Sequence, residues 1–332
     1  MRHLLLSAVC VAATDSNATF GALADRVEWT RVNDKASYDW PNSTLRHFSP
    51  AEAMDLLRGR QVLVLGNSVA RHVVVALHRL ISGRAPDAGG GVTIGGQELP
   101  EAEVSIWPGH GAGAAEVAPE KDYVSEPCKR KGGSRIRSFC PSWLLGCAGT
   151  DCCVARHKAS KTSMLLTYAF TGTPAEIQIH RALKRWAGTP HCAGASSPDY
   201  AVLFMTEVNH KAFQRLAKHS AELKIRHPRT TFILVTPPHT QCDDRTIRKS
   251  EKLCKRGENR SALEAYDAAA VEAATPFDGV VVVPIGESTA RGLSEGALRH
   301  EVTNPYHFHD AGRLFVLEML LNAFAIARPN TV

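Results

Sequence analysis

Gln61-Val62-Leu63-Val64-Leu65-Gly66-Asn67-Ser68-Val69-Ala70-Arg71 decides the architecture. The unbroken aliphatic run from Gln61 to Leu65 predicts a strand buried on both faces, as in a parallel sheet. Gly66-Asn67-Ser68 turns the chain, and Val69 to Ile81, with apolar residues on every face, predicts a helix. Just upstream, Ser49-Pro50-Ala51-Glu52 combines a capping Ser, a Pro in the first turn and a Glu three residues on, which predicts a helix start. That helix extends to about Leu57 and is closed by Arg58-Gly59-Arg60.

The same rhythm continues outward. Strands are expected at Ala102 to Trp107, Met164 to Phe170, Tyr200 to Met205, Thr231 to Val235 and Val280 to Val283. Helical patterns separate several of them, at Pro174 to Trp186, His210 to His227 and Ser261 to Ala274, and Ala311 to Ala327 forms a last helix. Strands alternating with helices imply an α/β fold, a three-layer sandwich in which helices cover both faces of a mostly parallel sheet. Ser16 to Trp40 shows no clear periodicity, but its Trp29, Tyr38 and Trp40 are expected to pack on the main body. About 121–161 breaks the rhythm. It holds five cysteines and the basic stretch Lys129-Arg130-Lys131 with Arg135 and Arg137, and reads as a disulfide-stapled insertion within one domain, 16–332.

Composition agrees with a folded chain. Of 332 residues, 44% are hydrophobic and 22% charged, enough for a large core and inconsistent with wholesale disorder. The net charge of +6 favours acidic partners such as anionic glycans. Nucleic acid is not expected, because aromatics make up only 7% and no dense basic stripe carries them. Met1-Arg2-His3 followed by the apolar run Leu4 to Ala13 has the shape of a secretory signal over 1–15, too short to span a bilayer. Asn17-Ala-Thr19, Asn42-Ser-Thr44 and Asn259-Arg-Ser261 are glycosylation sequons. Apart from Cys10 there are eight cysteines: Cys128, Cys140, Cys147, Cys152, Cys153, Cys192, Cys242 and Cys254. An even number with no C-x2-C pair favours disulfides over zinc. The expected location is therefore the secretory lumen or outside the cell, and no metal or other cofactor is expected.

Active sites of open α/β sheets lie at the carboxyl ends of the strands. Ser68 follows the first strand of the sheet and opens a helix, in the positive field of that helix end; a plain capping Ser would sit there too. His307, in Asn304-Pro-Tyr-His307-Phe-His309-Asp310-Ala-Gly312, precedes the last helix and can serve as a general base, with His309 as its rival. Asn209 follows the strand Tyr200 to Met205, where its amide could donate to an oxyanion or its oxygen could cap the next helix. The His307/His309 pair could also chelate a metal, but no H-E-x-x-H signature accompanies it.

Together these blocks resemble the SGNH (GDSL-type) hydrolases. Leu65-Gly66-Asn67-Ser68 is similar to their Gly-Asp-Ser block, Asn209 falls at the Asn of their Gly-x-Asn-Asp block, and His307, with Phe308 and Gly312, resembles their Asp-x-x-His block. Gly109, Gly111 and Gly113 are candidates for the glycine block. Asp39-Trp40, Phe48 and Ala53-Met-Asp-Leu-Leu-Arg-Gly-Arg60, leading into Val62 to Arg71, look like the PC-esterase branch, which holds trichome-birefringence-like wall-polysaccharide acetyltransferases and sialic-acid O-acetyltransferases. The resemblance spans roughly 38–325 in a few short blocks.

It implies an SGNH/flavodoxin-like sheet and acyl transfer on a glycan. Ser68 would attack the ester and His307 take its proton. The Ser68 N–H, the Gly111 N–H and the Asn209 amide would hold the oxyanion, and Arg71 and His309 would contact substrate. Water as acceptor makes an O-acetylesterase, a sugar hydroxyl an O-acetyltransferase; the partner is an acylated carbohydrate or polysaccharide, anionic if the basic insertion contributes. There are departures. Asn67 replaces Asp beside the nucleophile, Glu207 and His210 flank Asn209, and Asn304 stands where the triad acid should be. In a serine protease the corresponding Asp→Asn change costs about 10⁴-fold in turnover. The chain would then use a Ser–His dyad, borrow Glu301 or Asp310, or act as a non-catalytic glycan-binding protein on the same fold.

Overall fold

The computed structural model describes residues 27–32, 35–40, 45–81, 93–94, 97–98, 123–125, 152–157, 165–170, 176–187, 197–206, 208–239, 260–301, 304–308 and 310–327. A hairpin, β1 (Glu28–Val32) and β2 (Lys35–Asp39), leads to α1 (Pro50–Leu57), β3 (Gln61–Gly66) and α2 (Ser68–Ile81). A short hairpin β4 (Thr93–Ile94) and β5 (Gln97–Glu98), then β6 (Tyr123–Ser125), β7 (Cys152–His157) and β8 (Leu165–Phe170) follow. The remaining elements are α3 (Glu176–Ala187), β9 (Tyr200–Phe204), α4 (His210–Arg226), β10 (Thr231–Val235), α5 (Arg260–Ala274), β11 (Val280–Val283), α6 (Gly286–Ser294), β12 (His300–Glu301), β13 (Asn304–Phe308) and α7 (Asp310–Ile326).

The central sheet has seven described strands in the order β11-β10-β9-β3-β8-β7-β6. The pairs from β11 to β8 are parallel, and β7 and β6 extend that edge antiparallel. The strands expected to be continuous aliphatic runs are the parallel ones, and β3, β9, β10 and β11 are buried almost throughout. Alternate residues feed two cores. Val62, Val64, Val202, Phe204, Ile233 and Val283 face one core with α1, α2 and α7; Leu63, Leu65, Leu203, Leu234 and Val282 face the other with α3, α4 and α5. This is the three-layer α/β arrangement that the alternation of elements predicts. Each fully buried Leu or Val contributes about 1.5–3 kcal/mol.

β3 is the first strand of the parallel set in the chain but lies between β8 and β9, so the connections leave it in opposite directions. The crevice outside the carboxyl ends of β3 and β9 is thus the topological switch point, where ligands of open α/β sheets bind.

The capping box of α1 forms as read, with Ser49 Oγ accepting from the Glu52 N–H at 3.3 Å and Glu52 accepting from the Ser49 N–H at 2.9 Å. The expected packing of Trp29, Tyr38 and Trp40 also holds: all three are buried, and Trp29 and Tyr38 lie 5.1 and 5.5 Å from Phe315 of α7. Three elements depart from the sequence reading. The stretch before α1 contains a hairpin, an additional helix α6 follows β11, and the loop expected before α7 is the strand pair β12–β13. Of the expected insertion, β6 and β7 are described, and both belong to the sheet; the rest of 121–161 lies outside the described residues, as do the expected strand at 102–107, the signal segment, the asparagines of the three sequons and every cysteine except Cys152 and Cys153.

Candidate functional site

Gly66 ends β3, and its backbone lies so close to its neighbours that a Cβ there would sit 2.6 Å from Ala70 Cβ and 2.7 Å from Phe204 Cβ. A glycine is therefore needed for α2 to turn back tightly over the end of β9. Asn67 follows as the cap, its Oδ1 accepting from the Val69 N–H at 2.9 Å. This gives the departure from Asp a local role, since Asn and Asp cap equally well. Ser68 is the first residue of α2, directly outside the carboxyl end of β3.

Asn209 lies outside the neighbouring strand β9. It is exposed and is the N-cap of α4, with Oδ1 accepting from the Ala212 N–H at 3.0 Å. The capping reading of Asn209 is thus the one its oxygen fulfils. Behind it Tyr266 of α5 is fully buried, 4.9 Å from the His210 ring, and burial pushes its phenol far above the ordinary range.

His307 lies in β13. Its strand pairs irregularly with β12: Glu301 stands opposite Asn304 and His300 opposite Phe308, so the register shifts and residues 305–307 have no opposite number. Phe308 then packs where α7 begins. A Cβ on Gly312 would fall 2.5 Å from Phe308 Cβ, so this glycine admits the close crossing of β13 and α7. Phe308 also lines a small crevice with Val69, His72 and Val73 of α2 and Gly312, Arg313 and Val316 of α7. The end of the His307 strand is thereby set against the first turns of the helix that Ser68 opens.

His72 and Arg313, the polar residues of this crevice, escaped the sequence reading. His72 is buried one helical turn beyond Ser68, and that spacing was the available signal. For Arg313 there was none. Of the remaining expected site residues, Arg71 lies in α2 and Asn304 in β13, whereas Gly111, His309 and Glu207 fall outside the described residues.

A serine–histidine contact elsewhere in the fold was also not foreseen. Ser197 Oγ lies 2.6 Å from His227 Nδ1, and burial, with His180 and Arg226 nearby, pushes the His227 imidazole below its ordinary value. This pair sits at the opposite, amino end of β9, where His227 is the C-cap of α4. No carboxylate is hydrogen-bonded to the ring among the described residues, so the contact fastens a loop to a helix end.

Among the described residues no group of three or more His, Cys, Asp or Glu could hold a metal ion, and no helix is long and apolar enough to cross a membrane. A scan against models of protein families finds no match for the chain, and no curated protein matches it significantly.

Proposed function

We propose that this chain is a serine-dependent acyl-transfer enzyme of SGNH type acting on glycans, an O-acetylesterase or O-acetyltransferase, with Ser68 as nucleophile and His307 as base. The observation that carries the reading is positional. Ser68 opens α2 at the switch point between β3 and β9, Asn209 follows β9 there, and Phe308, the residue after His307, lines one small crevice with Val69, the residue after Ser68.

The chemistry runs through an acyl-enzyme. The Ser68 hydroxyl oxygen adds to the ester carbonyl while its proton passes to His307. The tetrahedral oxyanion is held by the Ser68 N–H, Asn209 Nδ2 and a loop glycine, for which Gly111 is the choice. Collapse expels the sugar oxygen, which takes the proton back. Water or a second sugar hydroxyl then repeats the sequence in reverse. Glu301, opposite Asn304 in the β12–β13 pair, offers the carboxylate that Asn304 lacks. Strand order, 2-1-3-4-5 when β3, β8, β9, β10 and β11 are counted along the chain, is the flavodoxin-like order and supports the fold half of the resemblance. Arg71 and His309 are assigned to substrate. The signal-like segment and the sequons support a location in the secretory lumen or outside the cell, where the cysteines of the basic insertion would be oxidised.

A fluorophosphonate probe tests the reading. Intact mass and peptide mapping should find the adduct on Ser68, and Ser68→Ala should abolish it and the release of acetate from acetylated polysaccharides. A folded, oxidised protein that takes no label would overturn the enzyme. The second reading, a glycan-binding protein on the same fold, rests on Asn67 and Asn304, which stand where the resembled family has acids. Glycan binding that survives Ser68→Ala without any turnover would establish it.

A further inference from the structure

His47 is placed between two carboxylates contributed by distant parts of the chain. Its Nδ1 lies 2.7 Å from Glu318 Oε2 of α7, and its Nε2 lies 3.7 Å from Asp39 Oδ1 at the end of β2. Glu318 is 1% exposed. The Trp40 and Tyr38 rings stand 4.7 and 5.6 Å from the imidazole, close enough to favour its cationic form. The other charges near it are accounted for. Arg46 turns its guanidinium to Glu52 of α1 at 3.1 Å and over the Phe48 ring, while its backbone is fastened to Asn322, one turn beyond Glu318 on α7. A protonated imidazole gives Glu318 Oε2 its counter-charge, while Oε1 has no partner among the described residues; with a neutral imidazole the carboxylate is a charge left in the core.

We propose that the His47–Glu318–Asp39 cluster is a pH-sensitive latch that fastens the N-terminal hairpin β1–β2 to α7. Protonated, His47 joins the end of the hairpin to the buried face of α7. Deprotonated, it releases Asp39 and leaves Glu318 without its counter-charge, and the hairpin loosens from Phe315. The two carboxylates outweigh the burial that alone would lower the imidazole, and its pKa is raised above the ordinary 6.5. A group raised in the folded state contributes stability that is complete below its unfolded pKa. That stability is lost as pH rises through the folded value, so the latch is shut in mild acid and opens on the alkaline side.

Hydrogen exchange followed by mass spectrometry on the full chain tests this between about pH 6 and 9, with rates corrected for intrinsic exchange. Protection of a peptide covering 28–40 should fall by up to about tenfold per pH unit from near 6.5 upward. A peptide covering 200–204 should keep its protection throughout. Exchange at the His47 ring C2–H should give a midpoint above 6.5. Glu318→Gln and His47→Gln should each flatten the 28–40 profile. A flat wild-type profile, a His47 midpoint at or below 6.5, or a profile unchanged in both variants would overturn the latch. Should either variant fail to fold, the two wild-type measurements decide it alone.

Discussion

Gly66→Ala is the most informative single change at the candidate site. The new methyl would meet Ala70 Cβ at 2.6 Å and Phe204 Cβ at 2.7 Å, against an ordinary carbon contact of about 3.5–4.0 Å. Both obstacles are Cβ atoms, fixed to backbone, so no rotamer change relieves them. Phe204 belongs to a fully buried strand paired on both sides, so the first turn of α2 must yield by the better part of an ångström. Overpacking of this kind costs about 1–3 kcal/mol, and two rigid contacts argue for about 3. The lost unfolded-state freedom of glycine returns about 0.4–1 kcal/mol. A net of about 2 kcal/mol corresponds to roughly 4–8 °C in a domain of 150–250 residues, and to the lower end in a longer chain. The displaced turn carries Ser68, and a shift of about 1 Å in a reacting group can cost about 10²-fold, so fluorophosphonate labelling should slow by that order. Gly59→Ala is the control. Gly59 has φ +67° but nothing within 4 Å of a Cβ, so it pays only the left-handed backbone cost of about 1–2 kcal/mol, and labelling should not change. Thermal melting and labelling rates of the two variants check the reasoning. Gly66→Ala melting with the wild type would refute the close approach of β3, β9 and α2.

Asn67→Ala should remove the α2 cap and destabilise by about 1 kcal/mol, whereas Asn67→Asp should keep it; chemical denaturation separates them. Gly312→Ala should drive Phe308 from the first turn of α7, so Ser68 labelling should fall by more than the loss in melting temperature accounts for, read by comparing both across the two glycine variants. Ser197→Ala should leave labelling at wild-type rate, because the Ser197–His227 contact lies at the amino end of the sheet; loss of label there would move the active serine to that dyad.

The elements legible in the sequence are those whose signal is local. Thr231–Val235 and Val280–Val283 are continuous aliphatic runs because both of their faces are buried, and the structure ends them at the predicted residues. Helix α1 announces itself through Ser49 and Glu52. Helix α6 does not. Gly-Glu-Ser-Thr-Ala-Arg-Gly-Leu-Ser carries no apolar stripe, and its N-cap Ile285 makes no side-chain cap. What holds it is tertiary: Asp267 of α5 accepts from the Glu287 N–H at 2.9 Å, and the Trp29 Nε1–H donates to the Ser288 carbonyl at 2.9 Å. The strand β13 was hidden by Pro305 and by pairing with a partner two residues long. The His47–Glu318 contact joins residues 271 apart, and nothing local in either segment signals it. At the site, position along the chain was readable for Ser68 and Asn209, because each follows a strand, and for His307, because it precedes the last helix. Proximity was not, because Phe308 and Val69 come to line one crevice only once α7 has folded back onto α2.

Two glycines bracket the proposed reactive positions, and both are required by contact. Gly66 stands two residues before Ser68 and Gly312 five after His307, and at each a single added carbon would collide with a neighbour at 2.7 Å or less. Neither has a positive φ, so neither is there for a turn that other residues could not make. What each admits is an approach: α2 onto the end of β9 in one case, α7 onto the end of β13 in the other. The first brings the Ser68 turn to the Asn209 strand, and the second sets Phe308, at the end of the His307 strand, in one crevice with Val69 of α2. The blocks scattered along the sequence are thus drawn together through two close approaches, and the spacing between the proposed nucleophile and base depends on glycines rather than on Ser68 or His307.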